Sequence, residues 1–335
     1  MRAVVVERPG AAALRRVPKP EPGRGEVLVR VAAAGICGSD VEVLEGRRPP
    51  AYVRYPIIPG HEWAGVVEAI GPGVAGIDLG AAVVAEGFRA CGDCARCREG
   101  LTNLCDMEYA ETGFTHAGAF AEFVCVPARL VHQLPAGSDL AAAALLEPAA
   151  CVAQGLLEVD LRPGMTIAVV GSGTLGLLAV ALLGRVSPKR LALVGTRESR
   201  LELGTAIGAT ETWNVRRDQY PLPGFDLVFE AAGTPGGART AVELARRGGT
   251  VVLEGISGQP AAIDADVVVL GHLNVRGIFG ASRNAWRWVT DLFAAGLLDL
   301  EPLVSHTFAL EDHAAAFATI KDRAGEALKV QLRPS

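Results

Sequence analysis

The residues best equipped for chemistry are thiols. Cys91, Cys94, Cys97 and Cys105 are four of the chain's seven cysteines and fall within one short stretch. Two-residue gaps let successive sulfurs converge on one centre, and tetrahedral zinc takes four thiolates. A site closed in this way leaves no open position, so it should fold a loop rather than catalyse. Gly92 and Gly100 suit the tight wrap that such a loop needs. Buried free thiols and an iron–sulfur cluster, which uses the same donors, are the alternatives; the clustering favours zinc.

A second constellation is Gly171-Ser172-Gly173-Thr174-Leu175-Gly176. It follows the apolar run Thr166–Val170 and opens a run from Leu175 to Leu183, which is the strand-turn-helix context that a dinucleotide fingerprint requires. Gly171 makes the turn, Gly173 lets the backbone approach a pyrophosphate, and Gly176 allows helix and strand to pack closely. An NAD site usually places Asp or Glu about 20 residues further on, at the ribose. Here the second strand ends in Val194-Gly195-Thr196-Arg197. Thr196 can donate to a 2′-phosphate, and Arg197 and Arg200 can pair with it, so NADP is expected over NAD. The alternative makes both arginines a solvated helix face and sends Glu198 to the ribose.

The elements around these residues are of two kinds. Up to about Glu147-Pro148, short β-like runs alternate with Pro- and Gly-rich turns. Examples are Ala3–Val6, Glu26–Val31, Ala64–Ile70, Ala82–Ala85 and Ala119–Val126. Beyond that point strand and helix patterns alternate. Strands are expected at Thr166–Val170, Leu191–Val194, Phe225–Phe229, Thr250–Leu253 and Leu273–Ile278, and helices at Leu175–Leu183, Ser199–Ile207 and Gly237–Arg246. Such alternation predicts a doubly wound parallel α/β sheet of the Rossmann type. A helix over Trp286–Ala295 and a mixed tail follow. The predicted division is a β-rich domain over 1–149 with a zinc lobe near 88–110, a nucleotide domain over 150–282, and a return to the first domain over 283–335.

With 335 residues and a net charge of −5, neither nucleic acid nor an anionic membrane is an expected partner. Metal-like cysteine spacing and the lack of a basic-then-apolar opening segment predict a reducing, cytoplasmic setting. Pro163–Gly184 carries no charge, and its length alone would permit a membrane span. Its glycines split it instead into strand, turn and helix.

Cys37, His61, Glu62 and Glu147 are dispersed, and each alone could be a core thiol, a turn histidine or a surface charge. Taken with their surroundings they carry a resemblance. The stretches Gly35-Ile36-Cys37-Gly38-Ser39-Asp40, Pro59-Gly60-His61-Glu62, the four-cysteine loop, Gly118-Ala119-Phe120-Ala121-Glu122 and the glycine turn occur in the order and spacing of one family. The chain resembles, over essentially its whole length, zinc-dependent medium-chain alcohol dehydrogenases of the sorbitol/threonine dehydrogenase-like branch. The resemblance implies a GroES-like first domain and a catalytic zinc held by Cys37, His61 and a carboxylate. Glu62 is the first candidate for that carboxylate, and Glu147 a further or water-mediated ligand. With the structural ion this makes two zincs per chain. Zinc would lower the pKa of a substrate alcohol, whose alkoxide gives hydride to the nicotinamide.

Ser39 matches the family's proton relay, but Glu42 stands where many relatives have a relay histidine. Phe114 and His116 fall in a loop that borders the family's substrate cleft. His132, His272, His306 and His313 show no ligand pattern. Cys125 and Cys151 read as core thiols, and Trp286 and Trp288 as junction packing. The implied substrate is a secondary alcohol on a polyol, sugar or aminocyclitol, with L-threonine as the rival. A silent NADPH-binding zinc protein is the alternative of a different class. The family pattern also implies a homodimer or homotetramer formed through the nucleotide-binding sheet.

Overall fold

A computed structural model of the chain describes residues 1–218, 223–322 and 325–334. Two compact units emerge: Met1–Glu147 with Ala281–Ser335, and Pro148–Gly280. In chain order the first unit opens with β1 (Arg2–Arg8), β2 (Ala11–Arg16), β3 (Glu26–Ile36), β4 (Glu62–Ile70), β5 (Ala82–Ala85), β6 (Phe123–Pro127) and β7 (Val131–Gln133). The second unit contributes β8 (Thr166–Val170), β9 (Arg190–Gly195), β10 (Glu211–Asn214), β11 (Phe225–Glu230), β12 (Ala245–Leu253) and β13 (Asn274–Gly277). The returning segment adds β14 (Val304–Ala309) and β15 (Lys329–Arg333) to the first unit.

The first unit is built on β3. This 11-residue strand pairs antiparallel with β4, β6 and β15. The sheet runs β14-β15-β3-β4-β5-β7, and β1 and β2 form a separate hairpin. Val27, Val29 and Val31 alternate into a core shared with Trp63, Phe120 and Leu332, as period-2 side-chain geometry requires. The end of β3 buries Ala33, Ala34 and Ile36 in succession, and this burial fixes where Cys37 emerges.

In the second unit all six strands are parallel, in the order β10-β9-β8-β11-β12-β13. Numbered from β8, that is the doubly wound order 3-2-1-4-5-6, which reverses between β8 and β11. Ile167, Ala168 and Val169 are fully buried, because helices cover both faces of a parallel sheet and leave its strands continuously apolar. The uncharged stretch resolves into β8, a turn and the ten-residue helix Thr174–Leu183. Among the described residues no helix is long and apolar enough to cross a membrane.

Local patterning misplaced two boundaries and the burial of two thiols. The strand expected over Ala119–Val126 forms only at Phe123–Pro127. Ahead of it, the Ala119 and Phe120 amides donate to the Gly60 and Pro59 carbonyls instead of joining a ladder. The helix expected to reach Arg246 stops at Leu244, because Ala245 pairs with Phe225 and starts β12. Cys125 and Cys151 are only partly buried, and Cys125 turns its thiol toward Glu26 Oε2 at 3.5 Å. Trp286 is buried in the first unit and stacks on His132, with ring centroids 5.6 Å apart.

Candidate active site

Cys37 terminates β3 and opens the helix Gly38–Glu45. His61 and Glu62 lie at the start of β4, and Glu62 pairs with Gly35 across the ladder. One ligand atom each from Cys37, His61 and Glu62 lie within 4.8 Å of one another. Gly60 adopts φ +97° ahead of His61, a conformation that side chains other than glycine's rarely take. Asp40, fully buried, joins the two loops: Oδ2 accepts from the Cys37 amide at 2.9 Å and Oδ1 from the Gly60 amide at 3.2 Å.

The charges here suit a cation. Burial by itself would lower the His61 pKa. The Asp40 carboxylate first, then Cys37 and Glu147, outweigh burial and hold it well above its ordinary value. The His61 Nδ1 is buried without a hydrogen-bond partner, and Asp40 Oδ1 stands 3.5 Å from it. A soft sulfur, an imidazole and a carboxylate are the mixed set of an open catalytic zinc site. The residues present therefore fit the ion that Cys37, His61 and Glu62 would hold.

Glu147, at the start of the helix Leu146–Leu157, is not one of that trio. Its charge nevertheless reaches His61, Glu111 and Lys329. Lys329 of β15 is buried and donates to Glu62 Oε2 and to the Ile36 carbonyl. Burial would lower the Lys329 pKa, but the charges of Glu62, Cys37 and Glu147 carry it above the usual lysine value. Gly35 makes this pair possible, since a Cβ there would run into Glu62 Oε2.

Ser39 is half-buried on the first turn after Cys37. Glu42 lies 3.8 Å from both Arg47 Nη1 and Arg48 Nη1, and among the described residues no hydrogen bond joins it to Ser39. Phe114 is buried with its ring centroid 4.8 Å from that of His61, and the Arg48 guanidinium lies 3.9 Å from the same ring. His116 is bonded through Nδ1 to Thr115 Oγ1 at 3.1 Å and stands outside the ligand set.

The four-cysteine loop fits zinc on its own distances. A zinc–sulfur bond of about 2.3 Å implies tetrahedral sulfur–sulfur edges of about 3.8 Å. Cys91 and Cys97 Sγ are 3.8 Å apart, and Cys94 and Cys105 Sγ 4.0 Å. These separations are far beyond a disulfide's. The Asp93 and Cys94 amides both donate to Cys91 Sγ and bring its pKa down to about 6. The loop is tied to the returning segment, where the Arg283 amide donates to Thr102 Oγ1 at 3.0 Å.

In the second unit the glycine turn lies after β8, where the strand order reverses. Gly171 has φ +110°, and a Cβ on it would stand 2.6 Å from the Ala232 amide nitrogen. A Cβ on Gly176 would run into the Gly171 carbonyl oxygen, whereas one on Gly173 would meet nothing within 4 Å. Gly173 caps the helix without a side-chain bond, which leaves helix N–H groups facing that open space. Such an arrangement could receive a pyrophosphate. Ser172 and Gly195 are buried against each other, while Thr196 is exposed at the end of β9. Glu198 is engaged elsewhere, 3.1 Å from Arg217 Nη2 and accepting from Asn214 Nδ2 at 3.3 Å.

Sequence reasoning missed four residues of these sites. Asp40 could have been found from the box that it closes with Cys37 at the helix start. Glu230 pins the loop that packs on Gly171, accepting from the Ala232 and Gly233 amides at 2.8 and 3.1 Å. Lys329 and Glu111 carried no local signal.

Comparison with known proteins agrees with this geometry. Residues 23–136 match the alcohol dehydrogenase GroES-like domain, and residues 174–295 match the zinc-binding dehydrogenase domain. The chain is 34% identical to the L-threonine 3-dehydrogenase of Bacillus subtilis (strain 168), over 96% of its own length and 95% of that protein's. A zinc-binding dehydrogenase from Sinorhizobium meliloti 1021 bound to NADP superposes with a TM-score of 0.92 at 30% identity, covering 99% of both chains. Galactitol-1-phosphate dehydrogenase from Escherichia coli gives 0.90 at 27% identity over 100% of both. With two domain models matched and a relative of this identity spanning nearly all of it, the chain belongs to the zinc-dependent medium-chain alcohol dehydrogenases.

Proposed function

We propose that the enzyme oxidises a secondary alcohol of a polyol, sugar or aminocyclitol to a ketone with NADP, at a centre held by Cys37, His61 and Glu62. The convergence of those three donors carries the reading. When bound, zinc acts as a Lewis acid on the alcohol oxygen and the nicotinamide accepts the hydride. Asp40 holds the Cys37 and Gly60 turns in register, so the sulfur and the imidazole arrive preorganised. Lys329 keeps the Glu62 charge compensated in a buried setting. Ser39 is the first hydroxyl beyond Cys37 and takes the alcohol proton. Glu147 adds negative charge that favours the loaded state. Cys91, Cys94, Cys97 and Cys105 hold a second, structural zinc.

The preference for NADP rests on Thr196, Arg197 and Arg200 in place of a ribose-binding carboxylate, and on the engagement of Glu198 with Arg217 and Asn214. L-threonine is a second reading, favoured by the name of the Bacillus subtilis relative. β13 has β12 as its one partner among the described strands, which supports a homodimer or homotetramer assembled through this edge. Among the described residues the cysteines form no disulfide, which is consistent with the cytoplasm.

The deciding experiment is a panel of polyols, aminocyclitols, L-threonine and simple secondary alcohols with both cofactors, following the absorbance of the reduced nicotinamide and the zinc content. Turnover of an alcohol with two zincs per chain is expected. A chain that binds NADPH, holds one zinc and oxidises no alcohol would be the silent binder instead.

A further inference from the structure

Both cofactor readings of the sequence turn on one carboxylate. Glu198 opens the helix Glu198–Ala206, two residues beyond Thr196. It is the acidic residue nearest in sequence to the end of β9, where dinucleotide folds place the carboxylate that receives a ribose hydroxyl. The neighbourhood is closely built. A Cβ on Gly195 would stand 2.4 Å from Ser172 Oγ of the glycine turn. Gly195 pairs with Asn214 across the ladder, and Asn214 Nδ2 donates to Glu198 Oε2 at 3.3 Å. One side chain therefore separates Glu198 from the strand end that a ribose acid would occupy, and its contacts draw it toward β10.

The turn that closes β10 keeps it there. The Arg217 and Asp218 amides both donate to the Asn214 carbonyl, at 2.9 and 2.8 Å. Asp218 Oδ2 accepts the Asn214 amide at 2.6 Å. The Arg216 amide donates to Asn214 Oδ1 at 3.2 Å, which leaves Nδ2 of that side chain for Glu198. This closed turn presents the Arg217 guanidinium. Its Nη2 lies 3.1 Å from Glu198 Oε2 and 3.3 Å from Oε1, while its Nε faces Asp218 Oδ1 at 3.6 Å. Both side chains of the Glu198–Arg217 pair are more than half exposed, so the pair adds little to stability. Its effect is on position. A free carboxylate accepts from the 2′-hydroxyl that NAD has, and repels the 2′-phosphate that replaces it in NADP. A carboxylate held by Arg217 and Asn214 does neither.

We infer that Arg217 is a positioning residue for cofactor choice: it ties Glu198 back beside Asn214, and breaking that tie turns Glu198 into a ribose ligand that favours NAD. The inference rests on the assignment of the glycine turn and the end of β9 to NADP. Arg217 acts on the choice through Glu198, without touching the cofactor.

The test titrates the zinc-loaded full chain with NADPH and with NADH, following nicotinamide fluorescence, in the wild type, Arg217→Ala, Glu198→Gln and the double variant. Arg217→Ala should tighten NADH by about threefold to tenfold and weaken NADPH by a similar factor, less than a buried charged hydrogen bond gives because the pair is open to water. In the Glu198→Gln background the same substitution should move NADH by less than about twofold, since the residue that it acts through is gone. Arg217→Lys, which keeps the charge, should stay near the wild type. A loss confined to NADPH that persists in Glu198→Gln would mean that Arg217 meets the 2′-phosphate itself. Equal losses for both cofactors would mean a structural role, and either result overturns the inference. A wild type that prefers NADH, tightened further by Arg217→Ala, would sink the NADP preference and leave the tie standing. A wild type that prefers NADPH, with NADH affinity unmoved by Arg217→Ala, would keep the preference and overturn the tie.

Discussion

Two glycines three residues apart should respond in opposite ways to the same added methyl. At Gly173 the backbone has φ −84° and ψ −172°, which alanine adopts freely. The new Cβ would meet nothing within 4 Å. Alanine is a poorer N-cap than glycine by roughly 0.5–1 kcal/mol, and the loss of unfolded-state freedom returns about 0.4–1 kcal/mol. Gly173→Ala should therefore fold with a stability within about 1 kcal/mol of the wild type. Its methyl, however, fills the space before the helix N-terminus, so a pyrophosphate must retreat and give up at least one charged hydrogen bond. That loss corresponds to about tenfold to a hundredfold in affinity. Gly176→Ala instead drives its Cβ into the Gly171 carbonyl oxygen. Backbone cannot rotate aside, and overpacking costs about 1–3 kcal/mol or more. Urea denaturation and fluorescence titration with NADPH separate the two cases. Gly173→Ala with normal stability and undiminished NADPH binding would refute the assignment of that open space to the dinucleotide.

Two further outcomes follow from the first unit. Cys105→Ser should lower zinc content from two equivalents to one and open the cysteine loop to proteolysis, because Cys105 Sγ also accepts the Cys91 amide; unchanged metal content by mass spectrometry would rule out the four-thiolate site. For Glu111, a folded-state pKa near 7 against an ordinary value of 4.5 means that the folded chain holds the extra proton between them. Its contribution to stability is therefore full below about pH 4.5 and declines as pH rises toward about 7. Glu111→Gln should accordingly gain on the wild type between about pH 5 and pH 8, by an amount on the order of 1–3 kcal/mol. Parallel urea midpoints across that range would show that the carboxyl is not held in a buried, charge-averse setting.

What the sequence made legible was local. The four-cysteine loop and the glycine turn each lie on one short stretch, so spacing and flanking runs sufficed to read them. The strands of the parallel sheet were legible because burial on both faces leaves nearly unbroken apolar runs, and Thr166–Val170 was placed to the residue. Cys37, His61 and Glu62 were visible only through resemblance, since no spacing rule connects the end of β3 to the start of β4. Lys329 was out of reach altogether. A lysine at the start of a short strand reads as a solvent-exposed edge residue, and its burial depends on β15 docking beside β3. Glu111 was hidden for a related reason: only the fold shows that Gly87 vacates the space that its carboxylate enters. The misplaced end of the helix before β12 has the same origin, since Ala245 has good helical propensity and long-range pairing overrides it.

The pairing of Lys329 with Glu62 spans 267 residues, and the whole second unit is encoded between them. At synthesis rates of about 5–20 residues per second, roughly 10 to 50 seconds separate the two on the ribosome. Throughout that interval the nascent Glu62 lacks the Lys329 ammonium. A divalent ion captured co-translationally would meet an acidic donor that the finished chain shares with its lysine.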